Sequence, residues 1–339
     1  MIPPLIKGGW QLAGGHGAVD AEAAVADMFA FAEAGITAFD CADIYAGVEV
    51  LIGRFLREWR ARHGAAAPRV RVHTKCVPDL DLLPALTRAD IERTIDRSLR
   101  RLGVEQLDLV QFHWWDCAIP GFVEAAWHLT AMQRDGKIAQ IGVTNFDTPH
   151  LRALLDAGVP VATNQVQLSL LDRRAQGEMS ALCATRGVRL LAFGALAGGF
   201  LHERWLGVVA PAEPLENRSL VKYRLIIDEC GGWDALQRVL VVLARVAARH
   251  GTTIGAVALR WVLDQPLVAA AIVGARNSAH LRATLDALAI QLTVDDVAEL
   301  SGVLGVIGSP PGDVYALERE VGGRHAAIMR YGLNRGAVD

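Results

Sequence analysis

The 339-residue chain carries no surplus of charge of one sign: 34 Lys and Arg stand against 37 Asp and Glu, for a formal charge of −3. Without a basic excess it offers no electrostatic footprint for nucleic acid or an anionic membrane. It also lacks a long unbroken apolar run. The longest, Val257 to Ala275, is interrupted by Arg260, Asp264, Gln265 and Pro266, short of the roughly 20 residues that cross a bilayer. The opening Met1-Ile2-Pro3-Pro4-Leu5-Ile6-Lys7 has neither the basic start nor the apolar run of a secretory signal. Five cysteines (Cys41, Cys76, Cys117, Cys183, Cys230) are odd in number and scattered, with no Cys-x-x-Cys. A disulfide framework is therefore not expected. These absences together predict a cytoplasmic setting, free thiols and no metal.

What the chain does hold is apolar material in alternating blocks. With 52% hydrophobic and 21% charged residues it can bury a sizeable core. Short β-branched runs predict strands over Leu5–Trp10, Ile36–Asp40, Val70–Lys75, Leu107–His113, Ala139–Thr144, Val161–Gln165, Arg189–Phe193 and Ala269–Val273. Between them lie helical patterns. Asp20 can cap one that presents Val25, Met28, Phe29 and Ala32 on one face and closes at Gly35. Thr87 or Asp90 can open another, with Ile91, Ile95, Leu99 and Leu102 recurring before Gly103. Similar patterns cover 48–62, 120–135, 147–157, 173–186, 234–250, 252–264 and 278–288.

Eight strands alternating with helices, without a composition break, predict an α/β fold: one (β/α)8 TIM barrel over residues 1–339, with its core at about 5–290. Two segments depart from the repeat. Residues 200–233, with Trp205, Pro211, Pro214 and Trp233, form a long connection after the seventh strand. A C-terminal extension, 306–339, follows Gly302 and Gly305 and turns at Ser309-Pro310-Pro311-Gly312. Both are expected to border the site, because long loops in compact domains are usually functional.

In such a barrel chemistry belongs at the C-terminal mouth, so the polar residues that end the strands carry the information. Asp40 closes the second strand, with Tyr45 five residues on; Lys75 closes the third and His113 the fourth. Asn145 follows the fifth, Gln165 ends the sixth and Phe193 the seventh. A lysine in this position needs a carboxylate neighbour, and Asp40 on the adjacent strand can supply it. A tyrosine hydroxyl with a reference pKa of about 10 releases its proton more readily beside an ammonium. Asp40, Tyr45, Lys75 and His113 thus form a proton-donating group, with Tyr45 the general acid for carbonyl reduction and His113 polarising the substrate oxygen.

The motifs that hold these residues resemble the aldo/keto reductase superfamily. They are Phe39-Asp40-Cys41-Ala42-Asp43-Ile44-Tyr45, Thr74-Lys75, Asp108-Leu109-Val110-Gln111-Phe112-His113-Trp114, Gly142-Val143-Thr144-Asn145-Phe146, Asn164-Gln165-Val166 and Ile272-Val273-Gly274-Ala275-Arg276. The resemblance implies a barrel that binds a nicotinamide dinucleotide without a Rossmann domain. It further implies that Thr144, Asn145 and Gln165 hydrogen-bond the carboxamide and that Phe193 packs on the ring, Thr and Phe standing where Ser and Tyr are frequent. Gly274-Ala275-Arg276-Asn277-Ser278 opens a helix whose first amides suit a phosphate. By resemblance this region receives the adenosine 2′-phosphate, which favours NADPH over NADH. His280 stands where Gln or Arg is common, and Ala283-Thr284 where the family has Glu-Asn. No Gly-x-Gly-x-x-Gly opens a helix after a strand, and Gly14-Gly15-His16-Gly17 reads as a flexible loop.

Trp10 and Trp114 are the leading candidates for an apolar wall around a small carbonyl substrate, ahead of Trp115 and of Trp205 as a lid. Glu49 opens the helix after Tyr45, where stabilisation of the helix N-terminus competes with a direct catalytic role. Two other readings stay open: a cofactor-binding regulatory subunit with little turnover, and a lyase or isomerase that uses Lys75 as a Schiff-base nucleophile.

Overall fold

The eight β-branched runs do become strands. A computed structural model describing residues 2–66 and 68–334 contains β1 (Leu5–Gly8), β2 (Ala38–Asp40), β3 (Arg71–Cys76), β4 (Leu107–Phe112), β5 (Ile138–Thr144), β6 (Val161–Gln167), β7 (Arg189–Phe193) and β8 (Val268–Gly274). Helices follow in chain order: α1 (Ala21–Glu33), α2 (Val48–His63), α3 (Arg88–Leu102), α4 (Phe122–Arg134), α5 (Thr148–Asp156), α6 (Glu178–Arg186) and α7 (Arg218–Glu229). The remainder are α8 (Trp233–His250), α9 (Ile254–Leu263), α10 (Leu281–Ala289), α11 (Val294–Val306), α12 (Ala316–Arg319) and α13 (Arg324–Ala327). Met1 and residues 335–339, the ends of the expected single domain and its tail, lie outside the described residues.

Each strand pairs in parallel with the next, and β8 closes on β1 as a barrel. Ile6, Ala38, Leu109, Leu191, Ala270 and Ile272 pack together as an inner cluster, distinct from the larger apolar layer beneath the helices. This two-sided burial is what an all-parallel sheet requires. Caps fix the helices as expected. The Asp20 carboxylate accepts from the amides of Glu22 and Ala23, Thr87 and Asp90 form a reciprocal capping box, and Gly103 ends α3 at φ 64°. Gly53 lets α2 meet α3, since a Cβ there would sit 2.2 Å from the Arg101 carbonyl oxygen.

Four expectations change. β1 stops at Gly8, and Trp10 enters a short 3-10 turn instead. Helix α6 starts at Glu178, not 173, because Asp172 and Arg174 are tied to each other by side-chain hydrogen bonds and Gly177 turns at φ 74°. The connection 200–233 is not a plain loop, for it contains α7, capped by Asn217. A further helix, α11, runs through Gly302 and Gly305 just before the tail. Among the described residues no single helix is long and apolar enough to cross a membrane; α8 and α9 together reach that length but meet at 93°.

Candidate active site

Strand register brings the polar ends together. Asp40 lies opposite His73, and Lys75 opposite Gln111. Lys75 Nζ donates to Asp40 Oδ2 at 2.6 Å and to the Cys41 carbonyl at 2.8 Å. The other Asp40 oxygen accepts from Gln111 Nε2 at 3.0 Å and Gln165 Nε2 at 2.7 Å. A buried ion pair persists only when its remaining lone pairs are satisfied, and this one is. Burial works against the Lys75 ammonium, yet Asp40 and then Tyr45 hold its pKa above the ordinary lysine value. An ammonium held charged is a poor amine nucleophile, which counts against the Schiff-base reading.

Tyr45 stands in the turn between β2 and α2, half-buried, with Lys75 Nζ 5.0 Å from its ring centroid. The expected lowering of its pKa does not prevail. Burial raises it, Lys75 pulls it down, and the net direction is up. The hydroxyl therefore stays protonated, as a proton donor must. Behind it, Glu49 Oε1 accepts from Thr74 Oγ1 at 2.7 Å while Oε2 lies 3.5 Å from Arg101, tying α2 to β3 and α3. Glu49 thus positions the tyrosine turn.

His113 is buried at the end of β4, with Nδ1 3.0 Å from the Thr144 carbonyl oxygen. A carbonyl only accepts, so Nδ1 carries the hydrogen. Burial, then Arg319, lowers its pKa to about 3, so the ring is neutral. Nε2 is left as a bare acceptor, buried and without a hydrogen-bond partner among the described residues. The expected polarisation of a carbonyl oxygen by His113 needs the other tautomer. The present one is suited to accept a hydrogen bond from an alcohol.

The tryptophans sort differently from expectation. Trp10 lies beside Tyr45, ring centroids 5.2 Å apart. Trp114 is fully buried, its indole N–H donating to the Ile119 carbonyl, so it forms wall and not lining. Trp115 instead stands edge-on to His113 at 4.4 Å. Strand alternation explains this and was available in the sequence: Leu109, Gln111, His113 and Trp115 share one parity. Trp205 packs with Phe200 and Trp233.

The residues expected to hold the cofactor are partly committed elsewhere. Thr144 Oγ1 donates to the Gln165 carbonyl at 3.3 Å, and Gln165 Nε2 serves Asp40 and Gln111. Asn145 fits better: held at φ 60°, it leaves Oδ1 buried and unpartnered, the acceptor a carboxamide N–H would need. Phe193 is half-buried, with Lys222 Nζ 5.0 Å from its ring centroid. Beyond β8 the first amides are already used, Ser278 N by Asp27 at 2.9 Å and Ala279 N by Asn277 at 3.1 Å. These two caps lie where the phosphate is expected, and Arg276 beside them is exposed. Gly274 faces the Gln11 side chain, and exposed His280 lies 6.1 Å from the His202 ring. His16 is not in a free loop: it is buried, 2.8 Å from Ser219 Oγ, and its pKa is lowered by burial and then by Arg276 and Arg218.

Several lining residues escaped the sequence reading. Gln111 was legible by parity, as a polar residue inside an apolar strand. Tyr315, at φ 61°, brings its ring 5.6 Å from His113. Arg319 donates to the Trp114 and Trp115 carbonyls at 3.0 and 3.1 Å. Arg174 pairs with Asp172 at 2.7 Å and Glu318 at 3.1 Å, and Lys222 lies 3.7 Å from Glu318. Both departing segments thus border the site, α7 through Lys222 and the tail through Tyr315, Glu318 and Arg319.

A sequence model of the aldo/keto reductase family matches residues 4–304. Over 260 residues the chain is 31% identical to flagellar radial spoke protein 5 of Chlamydomonas reinhardtii, covering 66% of this chain and 49% of that protein, so it spans about half of that relative's length. It is 30% identical over 282 residues to the chloroplastic pyridoxal reductase of Arabidopsis thaliana, covering 79% of this chain and 73% of that one. The solved structure of a glycerol dehydrogenase from Gluconobacter oxydans superposes with a TM-score of 0.76 at 25% identity, covering 91% and 93% of the two chains.

Proposed function

This chain belongs to the aldo/keto reductase family, and from that premise we propose that it uses NAD(P)H to reduce an aldehyde or ketone to the alcohol, with Tyr45 delivering the proton. When bound, the reduced nicotinamide supplies the hydride. Tyr45 donates its hydroxyl proton to the substrate oxygen, and in the reverse direction its phenolate takes the proton back. The Lys75 ammonium stabilises that phenolate, and Asp40 keeps the ammonium charged and in place. His113 Nε2 accepts the hydrogen bond of the alcohol hydroxyl.

Asn145 Oδ1 receives a carboxamide N–H, Thr144 and the Gln165 side-chain oxygen flank it, and Phe193 offers the flat surface that fixes one ring face. Arg276, with Gly274 and His280 at the same end, receives the adenosine 2′-phosphate, which favours NADPH over NADH. Trp10, Trp115 and Tyr315 enclose the carbonyl compound. The relatives include a pyridoxal reductase and a glycerol dehydrogenase, so pyridoxal, and glycerol in the oxidative direction, head the substrate panel.

One observation carries the proposal: a Lys75 ammonium 2.6 Å from the Asp40 carboxylate and 5.0 Å from the Tyr45 ring centroid. The test is a fluorescence titration with NADPH and NADH, followed by stopped-flow measurement of cofactor oxidation against the panel. Tyr45→Phe should bind cofactor as the wild type does and lose about a hundredfold or more in the chemical step. Tight cofactor binding with no chemical step in the wild type would instead favour a regulatory subunit.

A further inference from the structure

Of the four charged side chains that meet at the barrel mouth, one is left open. Asp172, Arg174 and Glu318 are closed off at 0%, 2% and 1% side-chain exposure, whereas Lys222 keeps 21%. Lys222 Nζ makes no hydrogen bond among the described residues, and Glu318 Oε1 lies 3.7 Å from it. Both Glu318 oxygens already accept from Arg174, at 3.1 and 3.4 Å. The carboxylate thus offsets the Lys222 charge without using its three N–H donors.

Position decides what those donors face. Lys222 Nζ stands 5.0 Å from the ring centroid of Phe193, the expected nicotinamide platform, and 6.0 Å from that of Tyr315. Tyr315 in turn lies 5.6 Å from His113. One turn earlier on the same face of α7, Arg218 lies over the Trp10 ring at 5.8 Å, and Trp10 lies against Tyr45. Helix α7 therefore runs along the mouth, with Lys222 between the ring platform and the residues that hold the substrate oxygen. We propose that Lys222 determines specificity: its ammonium donates to a hydroxyl group carried by the carbonyl compound, so that the substrates of this chain are hydroxylated aldehydes or ketones. The inference rests on the carbonyl-reductase reading and names its substrate class.

Charge selects a hydroxyl over a carboxylate. Asp172 and Glu318 already balance Arg174 and Lys222, so a substrate carboxylate would bring an uncompensated charge into the cluster, and a hydroxyl brings none. Burial, ahead of the opposing pull of Glu318, holds the Lys222 pKa below the ordinary lysine value. An ammonium short of water gains most from a new acceptor. Trp10, Trp115 and Tyr315 supply apolar wall, so an unsubstituted aldehyde matches the wall but leaves the donors unmet.

The full-length protein with NADPH is assayed for kcat/KM on glyceraldehyde, propanal and succinic semialdehyde, as wild type, Lys222→Met and Lys222→Arg. Glyceraldehyde and propanal share a chain length and differ in their hydroxyls. The quantity read is the glyceraldehyde-to-propanal ratio, because loss of fold or of cofactor binding lowers both rates together. Lys222→Met should lower that ratio about tenfold to a hundredfold, mostly through the KM for glyceraldehyde, the value of a hydrogen bond to a charged group. Lys222→Arg, which keeps donors, should retain most of it. A ratio unmoved by Lys222→Met, or a larger fall for succinic semialdehyde against propanal than for glyceraldehyde, overturns the hydroxyl assignment alone. A wild type that binds NADPH and turns over none of the aldehydes overturns the reductase reading and this inference with it.

Discussion

At the scale of single residues, burial outweighs neighbouring charge in setting the protonation of Tyr45, His73 and His113, whereas at Lys75 the neighbouring charges win. His113 stays neutral because its ring is out of water and near two cations; His73, inside the barrel, is likewise lowered to about 4, by burial first, against the pull of Asp40. Both histidines bind a proton more readily in the unfolded chain, near 6.5, than in the folded one. Stability is therefore full above about pH 6.5 and declines as the pH falls toward the folded values, because protons favour the unfolded state. For His73 alone the loss by pH 4 is on the order of 3 kcal/mol. Urea unfolding from pH 7 to pH 4 should show this slope, and His73→Gln should flatten it by about one proton. An unchanged slope would mean that His73 already carries a proton in the native state. The identity of the four polar residues was legible in the sequence, because each ends a predicted strand or follows one closely. Their protonation was not, since the desolvation that lifts Tyr45 and neutralises His113 depends on what covers them.

At the scale of elements, the Asp40–Lys75 pair joins β2 to β3 and is the clearest coupling of stability to chemistry. Removing only the cation leaves a buried carboxylate with just two amide donors. Lys75→Met should accordingly cost about 3–5 kcal/mol and most of the turnover. Asp40→Asn combined with Lys75→Met should recover much of the stability and none of the turnover, because the uncompensated charge goes but no ammonium returns. Denaturant midpoints and single-turnover rates on the three proteins check this; a double variant as unstable as Lys75→Met would show that shape, not charge, dominates there. The strands and the capped helices α1 and α3 were readable because periodicity and capping are local. Helix α7 was hidden by the prolines and mixed charge before it. Helix α11 went unread: its capping box of Thr293 and Asp296 is a local signal, and its Gly302 and Gly305, which lower helix propensity, both face open space.

At the scale of the whole molecule, three stretches distant in sequence are fastened across the barrel mouth by buried charge. Asp172 and Arg174 come from the β6–α6 loop, Lys222 from α7 and Glu318 from the tail. No periodicity links positions so far apart, so this assembly could not be read from sequence, and neither could the placement of Tyr315 on His113. Charge counting shows how it holds. Two carboxylates balance two cations, and Gln167 Nε2 adds a hydrogen bond to Asp172 at 2.6 Å. Glu318→Gln removes one carboxylate and leaves Arg174 and Lys222 sharing the other, an uncompensated buried charge that should cost about 3–5 kcal/mol. The tail then loses its anchor, so amide exchange should quicken around Tyr315 and Arg319 while the barrel strands stay protected. If Tyr315 encloses the substrate, KM for the carbonyl compound should rise more than the cofactor Kd. Adding Lys222→Met to Glu318→Gln restores neutrality and should slow that exchange again. Fast exchange persisting in the double variant would show that the carboxylate holds the tail through geometry and not through charge balance.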